Sequence, residues 1–304
     1  CSSDLFEPAT YDFKLDGVTD KCTLEQDIDF KLKSFAISGT VEDGKGHGGA
    51  GLELSLVQNG QIISTTKSSG DGKYSFDVAP GKYSVTTSAD ASACIAHGES
   101  AVDSSRGPVV VTPALKISGY PLTLTTKSPS GGALADVTLA LFAPADPKLK
   151  GCRAVTAADS APAGATVVCA LGKSDSTGNV RVPCVPSGEY TVRPTKENLQ
   201  FESALSKVSI RGAAASVSLR VDSFTARGRV VVGGRPLSAV EVIVDGKSIG
   251  KTDAKGEYEL TNAKDGASVK VSARKERTAF EEVTVKLTID KVQIPDVVVK
   301  SFEV

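Results

Sequence analysis

One phrase occurs three times along the 304 residues of this chain, and it limits the fold more than any other feature. It reads "SGDGKYSFDVAPGKYSV" at 69–85, "DSTGNVRVPCVPSGEYTV" at 175–192 and "TDAKGEYELTNAKDGASVKV" at 252–271. Gly72, Gly178 and Gly256 stand in its first turn, and Gly81, Gly188 and Gly266 in its second. Glycine reaches backbone conformations that other residues avoid, so these six are read as hairpin-turn glycines. A second phrase opens each unit, as "SFAISGTV" (34–41), "SGYPLTLTT" (118–126), "SFTARGRV" (223–230) and the truncated "SFEV" (301–304). Its aromatics, Phe35, Tyr120, Phe224 and Phe302, are 85, 104 and 78 residues apart, about the length of one small β-sandwich. The expected division is 1–33 as the last strands of a preceding repeat, then repeats at 34–117, 118–222 and 223–300. Residues 301–304 would begin another.

Between the turns, side chains alternate. Tyr74 and Phe76 fall on one face, with Ser75 and Asp77 on the other; Tyr258 and Leu260 oppose Glu257 and Glu259. That period of two marks a half-buried strand. Asn59-Gly60 and Asp245-Gly246 sit at matching places between strand patterns, where both dipeptides favour two-residue type I′ turns. With no helical stripe of useful length, the class is all-β: a tandem array of immunoglobulin-like sandwiches of the transthyretin or carboxypeptidase-regulatory kind. Short linkers ("LKSF", "KISGY", "VDSF") would limit rotation between neighbours and give a semi-stiff rod.

The middle repeat departs from its siblings. Where they have a two-residue turn, it runs "LFAPADPKLKGCRAVTAADSAPAGATVVCALGKSD", and Cys152 and Cys169 flank sixteen residues rich in Ala, Pro, Gly and Ser. A disulfide between them would close this loop and contribute roughly 3 kcal/mol in the chain-entropy picture; two independent reduced thiols are the alternative. Of the other cysteines, Cys22 lies in the lead-in with only Cys1 nearby. Cys94 and Cys184 have no evident mates and read as buried free thiols.

No constellation in the sequence points to catalysis, a metal or a cofactor. "GKGHGG" (44–49) matches G-x-G-x-x-G, but a strand pattern follows where a dinucleotide site needs a helix. Asp71 in "SSGDGK" stands without the further carboxylates of a calcium loop, and its counterparts are Thr177 and Lys255. Neither "GKS" (172–174, 246–248) has the upstream glycine of a phosphate loop. His47 and His97 lack a nucleophile elbow, and the mixed charges of "ARKERTAFEE" (273–282) read as a solvated edge. A net charge of -1 gives no field for nucleic acid or an anionic membrane. The lack of Trp weighs against the alternative reading, a carbohydrate-binding or extracellular adhesion array. The chain begins at Cys1 and contains no Met, which reads as a piece of a longer protein.

Three stretches, "DGVTDKCTLEQDIDFKLKSFAISGTV", "GCRAV…VCALGKSDSTGNVRVPCVPSGEYTVRP" and "ARKERTAFEEVTVKL", together resemble the nodal modulator family. The resemblance extends through the repeat starts and the Cys152 and Cys169 loop to the closing "DVVVKSFEV". It implies a lumenal segment of an endoplasmic-reticulum membrane protein whose anchor lies outside this chain. It further implies a non-catalytic scaffold acting with nicalin and a small multipass subunit beside the Sec61 translocon, without nucleic acid or small-molecule ligand. Cys94 is a departure from the family pattern and Cys184 at best an occasional feature of it, so their pairing stays open.

Overall fold

The computed structural model describes residues 6–7, 31–87 and 93–302, and its regular structure is almost entirely strand. Cys1, Cys22 and most of the lead-in lie outside those residues. The chain divides into two compact units: residues 1–122 with 183–188 and 209–215, and residues 123–182 with 189–208 and 216–304.

In the first unit, β1 (Phe6–Glu7) pairs antiparallel with β2 (Lys31–Leu32). A sandwich follows. β3 (Phe35–Glu42) belongs to one sheet and β4 (Glu53–Gln58) to the other. β4 returns as β5 (Gln61–Lys67) with Gln58 opposite Gln61, and the turn residues Asn59 and Gly60 hold φ of 52° and 77°. Both are positive, as a type I′ turn requires. β6 (Lys73–Val78) pairs with β3, and β7 (Lys82–Thr87) pairs with β4. After β8 (Cys94–His97), β9 (Glu99–Asp103) completes the sheet β5-β4-β7-β9. β10 (Val109–Val110) and the start of β11 (Leu115–Lys127) run parallel to β3, while β8 runs antiparallel to β11. The core follows from the alternation: Ile37, Val41, Leu54, Leu56, Tyr74, Phe76 and Val85 are all buried. Each large apolar side chain contributes roughly 1.5–3 kcal/mol.

In the second unit, β12 (Thr138–Ala143) leads into the insertion. There β13 (Cys152–Ala154) and a 3-10 turn at Ala157–Asp159 precede β14 (Val167–Lys173). β15 (Asn179–Val185) pairs with β11, and β16 (Gly188–Thr195), β17 (Leu199–Phe201) and β18 (Ser206–Ile210) follow. The sheet order β13-β14-β12-β16-β18 shows that the insertion adds an edge strand rather than a loose loop. β19 (Ala215–Val232) and β20 (Arg235–Pro236) open the last repeat. β21 (Glu241–Val244) and β22 (Lys247–Lys251) form a second type I′ hairpin, with Asp245 and Gly246 at φ 48° and 81°. β23 (Glu257–Ala263) joins β19, and β24 (Ser268–Arg274) joins β21. β25 (Thr278–Phe280), β26 (Val283–Lys286) and β27 (Val297–Phe302) complete the set, giving the sheet β22-β21-β24-β26 and a parallel β19–β27 pair.

Two segments read as linkers, 116–120 and 221–224, are the interiors of strands of 13 and 18 residues, β11 and β19. Their burial explains why. In β19 the odd residues Leu219, Val221 and Ser223 are buried first; then the even residues Phe224, Ala226 and Val230 take over. A single strand thus turns opposite faces to the cores on either side of residues 223–226, a run in which every side chain is buried. In β11 the buried residues likewise change from odd to even, Leu115 and Ile117 and then Tyr120, Leu122 and Leu124.

Candidate functional site

The repeated phrase builds one device three times. The backbone N–H groups of Val41, Thr126 and Val230 donate to the carbonyls of Gly72, Gly178 and Gly256 at 2.9, 2.7 and 2.9 Å. These glycines hold φ of 78°, 76° and 70°. A Cβ on them would stand 2.2, 2.5 and 2.8 Å from the carbonyl oxygens of Val41, Thr126 and Val230, so both conformation and space demand glycine. In the second turn Gly266 holds φ 79°, whereas Gly81 and Gly188 keep ordinary φ and Gly188 begins β16.

Beside each first turn lies a buried hydroxyl that the reading of the glycines missed. Ser68, Ser174 and Thr252 accept from the N–H of Leu52, Val137 and Val240 at 2.9, 3.0 and 3.1 Å. The same hydroxyls donate to the carbonyls of Gly49, Leu134 and Leu237. All three are under a tenth exposed. The signal was present as [S/T]-[S/D]-x-x-G, the residue four before each turn glycine. In the second and third copies Asp175 and Asp253 receive two backbone N–H groups each, closing the turn as an Asx motif. In the first copy Ser69 takes that place and bonds Asp71, which also pairs with Lys73 at 2.6 Å. Asp71 is thereby engaged within its own turn.

The "GKGHGG" loop has Gly44 and Gly46 at positive φ and is followed by β4, not by a helix. Its anchor is Asp43, whose side chain is 2% exposed. Burial alone would raise this carboxyl. Hydrogen bonds from the Lys45 and His47 backbone and the His47 ring (Nδ1 at 2.9 Å) hold it below the ordinary value instead. The neighbouring Ser187 side chain also favours the charged carboxylate, although its buried hydroxyl makes no hydrogen bond of ordinary geometry. Ser, His and Asp therefore do meet here, yet both partners address the central Asp43. A nucleophilic relay needs the imidazole between the other two. His97 is elsewhere engaged: its Nε2 lies 3.1 Å from Ser100 Oγ, which donates to the Pro113 carbonyl. Among the described residues no group of three or more His, Cys, Asp or Glu side chains is placed to hold a metal ion.

In the insertion, Cys152 and Cys169 are directly opposed on β13 and β14 and joined by a disulfide. Arg153 makes a two-pronged pair with Asp159, which also caps the 3-10 turn through Thr156. Arg193 lies 4.6 Å over the Phe142 ring and donates to the carbonyls of Asp159 and Ser160. A sequence reading of composition alone treats this segment as floppy; these contacts fix it. In the charged groove of about 890 Å³ beside Gly228 and Tyr258, both arginines are engaged in pairs, Arg227–Glu259 and Arg229–Asp296.

Burial pushes the phenols of Tyr74, Tyr120 and Tyr190 up to about 12, with the Asp43 charge adding to the effect on Tyr120. The neutral phenol is the form that folds, so its stabilisation is complete below pH 10.0, the ordinary value, and is lost as pH rises through about 12. A pH series of urea unfolding is therefore expected to show stability falling between those limits. The drop should shrink in Tyr74→Phe; a flat profile to pH 12 would refute the assignment.

Cys94 and Cys184 are both free thiols, half-buried rather than buried, and the structure brings them together. Cys94 Sγ lies 3.1 Å from the Pro183 carbonyl, and Ser118 Oγ reaches the Cys94 carbonyl at 3.3 Å and Cys184 Sγ at 3.5 Å. All these residues lie in the first unit.

Comparison with known proteins adds the following. Residues 32–118 match the family model of the second β-sandwich domain of "BOS complex subunit NOMO1-like". The chain is 38% identical to "Nicotinic receptor-associated protein 4" of Caenorhabditis elegans, covering 98% of this chain and 27% of that protein. It is 29% identical to human "BOS complex subunit NOMO1", covering 98% of this chain and 26% of that one. The chain thus spans about a quarter of the length of the curated relatives it matches. Among solved structures, the major pilin SpaD of Corynebacterium diphtheriae aligns with 90% of this chain and 99% of its own at 13% identity, with a TM-score of 0.32. That likeness is too slight to carry an argument.

Proposed function

We propose, from a resemblance to the nodal modulator family that holds over 98% of the chain, that these residues are a non-catalytic scaffold segment. The segment works in the endoplasmic-reticulum lumen as part of a membrane-anchored protein. In this reading it acts with a nicalin-like protein and a small multipass membrane subunit beside the Sec61 translocon, during biogenesis of multipass membrane proteins. The observation that carries the proposal is the near-complete alignment with relatives named as subunits of the BOS complex.

The chemistry of the chain supports the same reading. Its repeated polar devices are spent inward: the Ser68, Ser174 and Thr252 hydroxyls and the Asp43 carboxylate bind the protein's own backbone. In the second unit, β19 passes from one repeat into the next with no loop between them, which suits a spacer that keeps its surfaces at set distances. The Cys152–Cys169 disulfide suits an oxidising compartment.

Crosslinking of the native protein in cells, followed by identification of the linked peptides, tests the proposal. Peptides of the nicalin-like protein, the small multipass subunit or translocon components are expected on residues of this segment. Links confined to extracellular proteins or glycans would overturn the reading.

A further inference from the structure

We propose that Cys94 and Cys184 are an oxidisable dithiol that closes to a second disulfide. The inference rests on placement. Cys94 begins β8 and lies opposite Gly119 of β11, while Cys184 lies near the end of β15, which pairs with β11 as well. The two strand ends meet at Ser118 and Gly119, so the thiols share one hydroxyl neighbour, Ser118. Gly119 allows the approach: a Cβ there would stand 2.7 Å from the Val185 carbonyl carbon and oxygen. The Cys94 sulfur already touches the backbone of the residue beside Cys184. A disulfide needs the two Cα atoms within about 7 Å and the Cβ atoms turned toward one another, and the shared contacts at Ser118 and Pro183 put the two residues side by side.

The local chemistry agrees. Both cysteines are half-buried residues, neither sealed in a core. Burial, and then the neighbouring Cys184 sulfur, push the Cys94 thiol up to about 12. Cys94 therefore keeps its proton at neutral pH. The co-reactant is a disulfide, small-molecule or protein. One cysteine of the pair, as its thiolate, attacks one of its sulfurs, forming a mixed disulfide and expelling one thiolate. The other, giving up its proton as it attacks, then displaces the second thiolate and forms the Cys94–Cys184 bond. Two electrons pass to the oxidant, and the two protons lost from the cysteines end on the two thiols it releases. The bond would join the start of β8 to β15, in the middle of the 175–192 copy of the repeated phrase, two segments far apart in sequence.

The test uses the intact chain, equilibrated with a mixture of reduced and oxidised glutathione, alkylated under native conditions and mapped by mass spectrometry without reduction. The expected result is a crosslinked peptide pair containing Cys94 and Cys184, lighter by two hydrogens, with alkylation lost at both positions and regained on mild reduction. Cys94→Ser should leave Cys184 alkylatable, and Cys184→Ser should leave Cys94 alkylatable, with Cys152–Cys169 intact in each. Thermal unfolding of both Ser variants, matched to the reduced parent, confirms that the protein tested is folded. Full alkylation of both thiols in the folded, oxidised parent would overturn the proposal. So would a bond from either to Cys1 or Cys22.

Discussion

Thr252→Val is expected to destabilise the chain by about 3 kcal/mol, although the two side chains have nearly the same shape. The Thr252 hydroxyl accepts from the N–H of Val240, a fully buried residue, and donates to the Leu237 carbonyl. Removing it strands the buried Val240 donor, worth roughly 1–3 kcal/mol when left unpaired, and takes a partner from the half-buried Leu237 carbonyl. Valine retains the packing, so the loss reports the hydrogen bonds and not a cavity. Thr252→Ser keeps both bonds and should cost less than about 1 kcal/mol, the worth of a single methyl group. Urea unfolding of the three proteins makes the comparison. A loss below ~0.5 kcal/mol in Thr252→Val, the level of an ordinary surface change, would mean that the hydroxyl does not hold the turn. Ser174→Ala and Ser68→Ala should follow in the same direction, since the same pair of bonds is made at both places.

The second large effect concerns a volume traded between two positions. Gly39 lies opposite Tyr74, and Gly228 lies opposite Tyr258, on adjacent strands. A Cβ on either glycine would stand 2.4 Å from the tyrosine hydroxyl oxygen, with ring carbons almost as close. The corresponding positions of the middle repeat, two residues before Thr126 and two after Gly178, hold Leu124 and Val180, both buried. The first and third copies thus set glycine against tyrosine, where the middle copy has two aliphatic side chains at the matching positions. Gly228→Leu alone should cost at least 3 kcal/mol, the upper part of the range for overpacking a core. Tyr258→Val alone should cost about 3 kcal/mol through lost burial and a cavity. The double variant should recover most of both losses, a coupling of 2 kcal/mol or more in a double-mutant cycle. Strict additivity of the two losses would show that the positions do not share space. Tyr258→Phe is the companion measurement: the Tyr258 hydroxyl is buried without a hydrogen-bond partner, so its removal should be neutral or stabilising.

These two cases divide what could be read from the letters from what could not. The hairpins at Asn59-Gly60 and Asp245-Gly246 were legible because a two-residue type I′ turn needs positive φ at both positions, and few residue pairs supply it. The alternation in β6 and β7 was legible because each strand has one wet face. The first-turn glycines could be aligned by eye, but their reason could not: a carbonyl from a strand distant in sequence sits where a side chain would be. The buried Ser68, Ser174 and Thr252 were passed over because a serine or threonine beside a turn looks like any solvated loop residue until the strand that covers it is in place. The "VDSF" segment looked like a linker because it stands between two repeat patterns. In the fold it marks a change of core along an unbroken strand. Cys94 and Cys184 looked unrelated, since sequence distance says nothing about which strand ends abut on β11.

The order of letters by itself determined the all-β class, the copying of one sandwich blueprint and the places where the chain reverses, because these depend on φ preferences and on contacts within a few residues. Tertiary structure alone decided which hydroxyls are buried, which sulfurs are neighbours and where one core gives way to the next. Those properties depend on atoms brought from strands tens of residues away, and a local pattern carries no record of what will cover it.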